Sequence, residues 1–140
     1  MSTSPQCIQQ LIDSHQVPDE ARLETLPRHF GRHMLTVESA VYSFMRRLAQ
    51  DYSGGYWHFY ELSNGGFYMA PECEPIILRV AGNGYAGCMS AQGAGITACL
   101  FAFSHLSFRI PEALIIDHYY QLRDFALEHP EAGAILAAID

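Results

Sequence analysis

Between Val37 and Gln50 the apolar residues Val37, Ala40, Val41, Phe44, Met45 and Leu48 recur at helical spacing, one stripe along a helix. Thr36 can cap its start, Arg46 and Arg47 fall in the last turn, where cations suit the dipole, and Ser53-Gly54-Gly55 ends it. Upstream, Cys7 to Ile12 predicts a short helix. A second opens with Pro18 at its first position and Asp19 and Glu20 on the positive dipole end, and Pro27 is expected to stop it. The period then changes to two. Tyr56 to Leu62 and Phe67 to Ala70 read as aromatic strands joined by Ser63-Asn64-Gly65-Gly66, a hairpin signal because Asn and Gly tolerate positive φ. Pro75 precedes a third strand, Ile76 to Ala81. Ser90 can cap a Gly/Ala-rich helix, apolar all round, that reaches about Ser104. Pro111-Glu112 opens a long helix to about Glu128, and Pro130 begins a short terminal one. This order predicts one α+β domain over residues 1–140. Its small antiparallel sheet has three or so strands, the hairpin plus a further strand, packed with several helices.

Alternation divides the first strand into two faces. Tyr56, His58, Tyr60 and Leu62 share one, and Trp57, Phe59 and Glu61 the other. With Trp57 and Phe59 assigned to the core beside Phe67 and Met69, the Tyr56, His58 and Tyr60 face is expected to be open or thinly covered. A base-stacking platform would need basic company, yet Asp51 to Glu74 contains no Arg and four acids. A protein-contact surface fits better, since Tyr anchors interfaces well. Packing beneath a neighbouring helix explains the same face equally simply.

Charge changes the picture further. The eight basic residues are all Arg, against fifteen acids, for a net charge of -7. The absence of Lys removes Schiff-base chemistry, a Ser-Lys pair and a P-loop. A compact chain of this length has a radius of gyration of about 14 Å and spans roughly 37 Å, a length over which duplex DNA carries about 20 phosphates. Fifteen carboxylates on all sides, diluted by eight Arg, cannot match that density, which excludes whole-molecule DNA mimicry. The acids are nevertheless uneven: residues 1–60 hold five Arg and six acids, residues 61–140 three and nine. On the long helix Asp117, Asp124 and Glu128 fall within about 20° of one line, and Glu131 and Asp140 lie beyond, an acidic edge able to meet a basic partner or simply to face water.

No Lys or Arg precedes Arg22, and no run approaches the ~20 apolar residues of a membrane span, so neither a signal peptide nor a membrane contact is expected. Cys7, Cys73, Cys88 and Cys99 form no CxxC and are expected to be free, buried thiols in a reducing cytosol. Gly82-Asn83-Gly84-Tyr85-Ala86-Gly87 matches GxGxxG, but no acid follows at the distance a dinucleotide site needs, so a turn is expected there. His29 and His33 stand four apart. They lack the Glu of a zinc-protease helix, and Gly31 weakens a helix between them, so two solvent-facing or capping histidines are expected and no metal. A small metal-dependent hydrolase built on this pair is the corresponding alternative. No nucleophile motif is present, and no cofactor or small-molecule substrate is expected. The alternative of a DNA-binding protein would use Arg28, Arg32, Arg46 and Arg47 as a local basic patch, although nucleic acid is disfavoured by a net charge of -1 over residues 1–60.

The block Pro27 to Pro71, PRHFGRHMLTVESAVYSFMRRLAQDYSGGYWHFYELSNGGFYMAP, with MSAQGAGITACLFAFSHLSF from Met89 to Phe108, resembles the ArdB/KlcA antirestriction family of plasmid and mobile-element proteins. The resemblance implies a cytoplasmic bacterial protein of compact fold that relieves type I restriction of unmodified incoming DNA. It brings no catalytic or metal-binding residue with it. A non-enzymatic inhibitor is therefore expected, acting by protein contacts on the restriction complex or on a host factor that complex depends upon, through Tyr56, His58 and Tyr60 and the acidic edge.

Overall fold

The computed structural model describes residues 11–140. The helix expected from Cys7 to Ile12 falls mostly outside that range, and Leu11 and Ile12 are not helical. Strand β1 (Ser14–Gln16) is followed by a 3-10 turn (Asp19–Ala21), α1 (Arg22–Phe30), a second 3-10 turn (Gly31–His33) and α2 (Met34–Leu48). Strands β2 (Trp57–Leu62), β3 (Phe67–Pro71), β4 (Ile76–Val80) and β5 (Tyr85–Met89) come next. Three helices complete the chain: α3 (Ala91–Ser107), α4 (Ala113–Glu128) and α5 (Ala132–Ile139).

Pro27 lies inside α1 and does not stop it. Its missing N–H leaves the Leu23 carbonyl without a helical donor, at a residue 92% exposed, where water can serve instead. Gly31 ends the helix at φ 55°, a conformation that favours glycine.

The architecture is α+β, as expected, but the strands are divided between two sheets. The aromatic hairpin pairs Phe59 with Met69 and Tyr60 with Tyr68, and its third neighbour is β1, in the order β1-β2-β3. Polar, short and exposed, β1 carries no periodic signal. It is held by pairing of Gln16 with Tyr60 and by the Val17 N–H donating to the Phe59 carbonyl at 2.8 Å. The expected third strand, β4, instead pairs with β5 in a hairpin of its own. The GxGxxG run is the turn and second strand of that hairpin: Gly84 has φ 77°, and Asn83 Oδ1 accepts from the Tyr85 N–H at 2.9 Å.

α3 is apolar all round because it is surrounded: α2, α4, α5 and β3 all pack on it. Ser90 caps it as the sequence predicts, accepting from the Gly93 N–H at 3.1 Å. It also covers the outer edge of β3, where Cys99 Sγ donates to the Met69 carbonyl at 3.7 Å. Gly95 allows that approach, since a Cβ there would stand 2.6 Å from Ala70 Cβ. Burial pushes the Cys99 thiol up to about 12. Cys73 and Cys88, by contrast, are exposed on β3–β4 and β5, which corrects the expectation that all the thiols are buried; Cys7 lies outside the described residues.

Candidate partner-binding surface

The histidine pair and the arginines beside it are drawn into two clasps. In Arg28-His29-Phe30-Gly31-Arg32-His33, each Arg-His dipeptide holds one carboxylate. Arg28 Nη2 and His29 Nε2 reach Glu61 Oε2 on β2 at 2.5 and 2.7 Å. Arg32 Nη2 and His33 Nε2 reach Glu112 Oε2, before α4, at 2.9 and 2.8 Å. The break at Gly31 turns the two histidines toward different carboxylates. Among the described residues, no group of three potential ligands is arranged to hold a metal ion.

His29 is not solvent-facing: its side chain is 12% exposed, against Phe30, Phe67 and His118. His118 Nδ1 lies 2.9 Å from the Leu114 carbonyl and therefore donates to it. Burial lowers the His118 pKa and favours the neutral ring, whose Nε2 then accepts from His29 Nδ1 at 3.0 Å. His29 Nε2 lies 2.7 Å from Glu61 Oε2, so both of its ring nitrogens are engaged. Burial raises the Glu61 pKa, but hydrogen bonds and charge from Arg28 and His29 outweigh it and hold the carboxyl below its ordinary value. Hydrogen bonds from Arg32 and His33 do the same for Glu112. The sequence held a signal for this arrangement in the repeated Arg-His pair, but nothing local announced the carboxylate each would find or the part of His118.

These clasps divide the four-arginine patch. Arg28 and Arg32 are compensated by carboxylates, while Arg46 and Arg47 lie in the last turn of α2, roughly 20 Å along that helix at ~1.5 Å per residue. A single DNA-contact patch of all four is not assembled.

The hairpin face is also revised. Trp57 and Phe59 are buried as expected, with Trp57 Nε1 donating to the Tyr52 hydroxyl at 2.7 Å. Tyr60, however, is 9% exposed. Its ring stacks on Tyr68 with centroids 4.6 Å apart, and Tyr68 stacks on Phe125 of α4, so the helix covers this part of the face. Tyr56 is 47% exposed, its ring beneath Arg22 and its hydroxyl donating to Asp19 at 3.1 Å. His58 is partly exposed between Gln16 and Glu72, each at 3.1 Å. The accessible remainder is thus Tyr56 and His58.

Along α4 the acidic edge forms, with Asp117, Asp124 and Glu128 all exposed. Glu128 Oε1 accepts from the Ile12 N–H at 2.8 Å. Glu131 departs from the edge. Its carboxylate accepts from the Ser90 N–H at 2.9 Å and the Ser90 hydroxyl at 2.6 Å, bracing the cap of α3. Asp140, exposed, follows α5. No helix among the described residues is long and apolar enough to cross a membrane.

Known proteins are similar to this chain in both sequence and fold. The antirestriction protein family model matches residues 50–140. Antirestriction protein KlcA of Escherichia coli is 46% identical over 94% of this chain and 96% of its own, and the putative antirestriction protein YubI of Escherichia coli K12 is 32% identical over 85% and 89%. A solved structure matches the whole of both chains with a TM-score of 0.87 and 46% identity. It comes from work on KlcA and ArdB that describes a novel fold and antirestriction activity against type I DNA restriction systems in vivo but not in vitro. The chain belongs to the antirestriction protein family.

Proposed function

We propose that this protein relieves type I restriction of unmodified incoming DNA in the bacterial cytoplasm without chemistry of its own. It acts through protein contacts on the restriction complex or on a host factor that complex depends upon. The observation that carries this reading is the full-length likeness to a structure whose antirestriction activity is described in vivo but not in vitro. An inhibitor that needs a cellular component to act has that property. Three features support it. The ring nitrogens of His29 are taken up by His118 and Glu61, and His33 Nε2 is bonded to Glu112. A net charge of -7 is too sparse to imitate a DNA duplex. The exposed Tyr56, Asp117 and Asp124 suit contact with a basic protein surface.

Plating of unmodified phage on a type I restricting host, with a non-restricting host as control, tests the function. Recovery of plaques in the restricting host alone is the expected result. Unchanged plating with folded protein present would refute it.

A further inference from the structure

The acids that give the chain its charge leave one region free. Neither the stretch Ser39–Gln50 nor the stretch Pro75–Pro111 contains Asp or Glu, yet together they carry Arg46, Arg47, Arg79 and Arg109. The fold brings the two stretches together. A cleft of about 480 Å³ opens between α2 and α3, with Leu35, Ala40, Phe44 and Leu106 among its apolar walls and Arg47 and Arg109 on its rim. A second hollow of about 350 Å³ continues from Phe44 and Arg47 to Arg79 at the β4–β5 hairpin. No acid lines either space.

Arg47 stands where the two meet. Its guanidinium lies over the Phe44 ring, 4.4 Å from the centroid, and Phe44 is stacked on Phe101 at 5.7 Å. Such stacking holds the planar group in place and leaves its edge donors free. Among the described residues, none of Arg47, Arg79 and Arg109 has a carboxylate within ion-pair distance, whereas Arg28 and Arg32 both do. An apolar floor bordered by three uncompensated guanidinium groups is complementary to carboxylates alternating with apolar side chains.

We propose that the α2–α3 groove is a docking site for an acidic, apolar segment of a partner protein. A nucleic acid shares the charge but not the fit. With three of the eight arginines placed along the groove and the hollow that continues it, the rest of the chain carries five basic residues against fifteen acids, a net charge of -10. A phosphate backbone running past the groove would cross that surface, whereas a short acidic segment need not. The link to antirestriction rests on the proposed function, but the binding does not.

The test uses the purified full chain and a fluorescent peptide of repeating Asp-Phe-Glu-Leu, read by anisotropy beside its Asn-Phe-Gln-Leu counterpart and a duplex oligonucleotide. The acidic peptide is expected to bind, more weakly as salt rises, and to lose about tenfold or more in affinity with Arg47→Glu/Arg109→Glu. Arg47→Gln/Arg109→Gln serves if the double reversal fails to fold. No binding of the acidic peptide, equal binding of the neutral one, an unaffected variant, or tighter binding of the oligonucleotide would each overturn the proposal. In phage plating, wild-type activity with an inactive but folded groove variant is expected. Full activity in that variant would sink the groove's role and leave the antirestriction reading standing, whereas inactive wild type would sink the latter alone.

Discussion

A single buried side chain, His118, joins the two halves of the chain and makes stability depend on pH. Its ring lies 4.5 Å from that of Phe30, donates to Leu114 and accepts from His29. Burial first, with the His29 charge adding, depresses its pKa below the ordinary 6.5 against opposing effects of Leu114 and Asp117. His129 is depressed too, again by burial against the pull of Glu131, and its Nδ1 accepts from the Glu131 N–H. A folded-state pKa below the unfolded one means that the native state binds fewer protons, so this stability is complete above pH 6.5 and is lost as pH falls through the lowered values. Glu61 and Glu112, held below their ordinary 4.5, contribute with the same sign and lose their part below pH 4.5. Thermal unfolding followed from pH 7.5 downward should therefore show a fall beginning near 6.5 and a second one below 4.5. His118→Phe keeps an aromatic ring but strands the His29 donor, so it should cost about 1–3 kcal/mol at neutral pH. It should also shrink the first fall, leaving the part due to His129. An unchanged pH profile in that variant would contradict the neutral state assigned to His118.

At the scale of elements, α3 lies at the centre of the molecule, packed by α2, α4, α5 and β3, and its N-terminus is tied to a second helix. Glu131, just before α5, reaches back to Ser90, so the cap of one helix is completed by the start of another. Glu131→Ala should lower stability by about 1–2 kcal/mol while leaving the fold intact, and Glu131→Gln, which can still accept one hydrogen bond, should lose less. Chemical denaturation of the three proteins decides this, and equal stability would dismiss the brace. Ser90 itself was legible as a cap, because a cap is a local feature. So were α2, α4 and the aromatic hairpin, whose periodicities are strong. In the sequence Glu131 belongs to an acidic edge, because the partner that withdraws it lies 41 residues away. The same distance problem hid the covering of Tyr60 by Phe125 and the pairing of β1, which has no apolar alternation to mark it. Pro27 misled for another reason. A proline can sit inside a short exposed helix when the carbonyl it leaves unpaired can face water.

Across the whole molecule, charge is segregated rather than merely negative, and this decides which variants bear on function. Arg28 and Arg32 compensate Glu61 and Glu112 internally, leaving the acid-free groove on one side and the α4 stripe as the acidic edge. Substituting Tyr60 would disturb a stack of three aromatic rings, and substituting Glu131 would remove a cap, so neither separates binding from folding. Asp117 and Asp124 are exposed, and changes there should alter stability by no more than about 0.5 kcal/mol each, whereas Tyr56→Ala also gives up the Asp19 hydrogen bond and the Arg22 contact and should cost up to about 1 kcal/mol. If the acidic edge meets a basic partner, Asp117→Arg/Asp124→Arg should abolish most of the plaque recovery on a restricting host, with Tyr56→Ala weakening it less. The reversal exchanges attraction for repulsion, whereas the truncation only removes contact area. Matched melting temperatures and expression levels separate loss of contact from loss of protein. Full recovery with both variants, each folded as well as the wild type, would remove the hairpin and the acidic edge from the contact surface and leave the groove as the place to look for the partner.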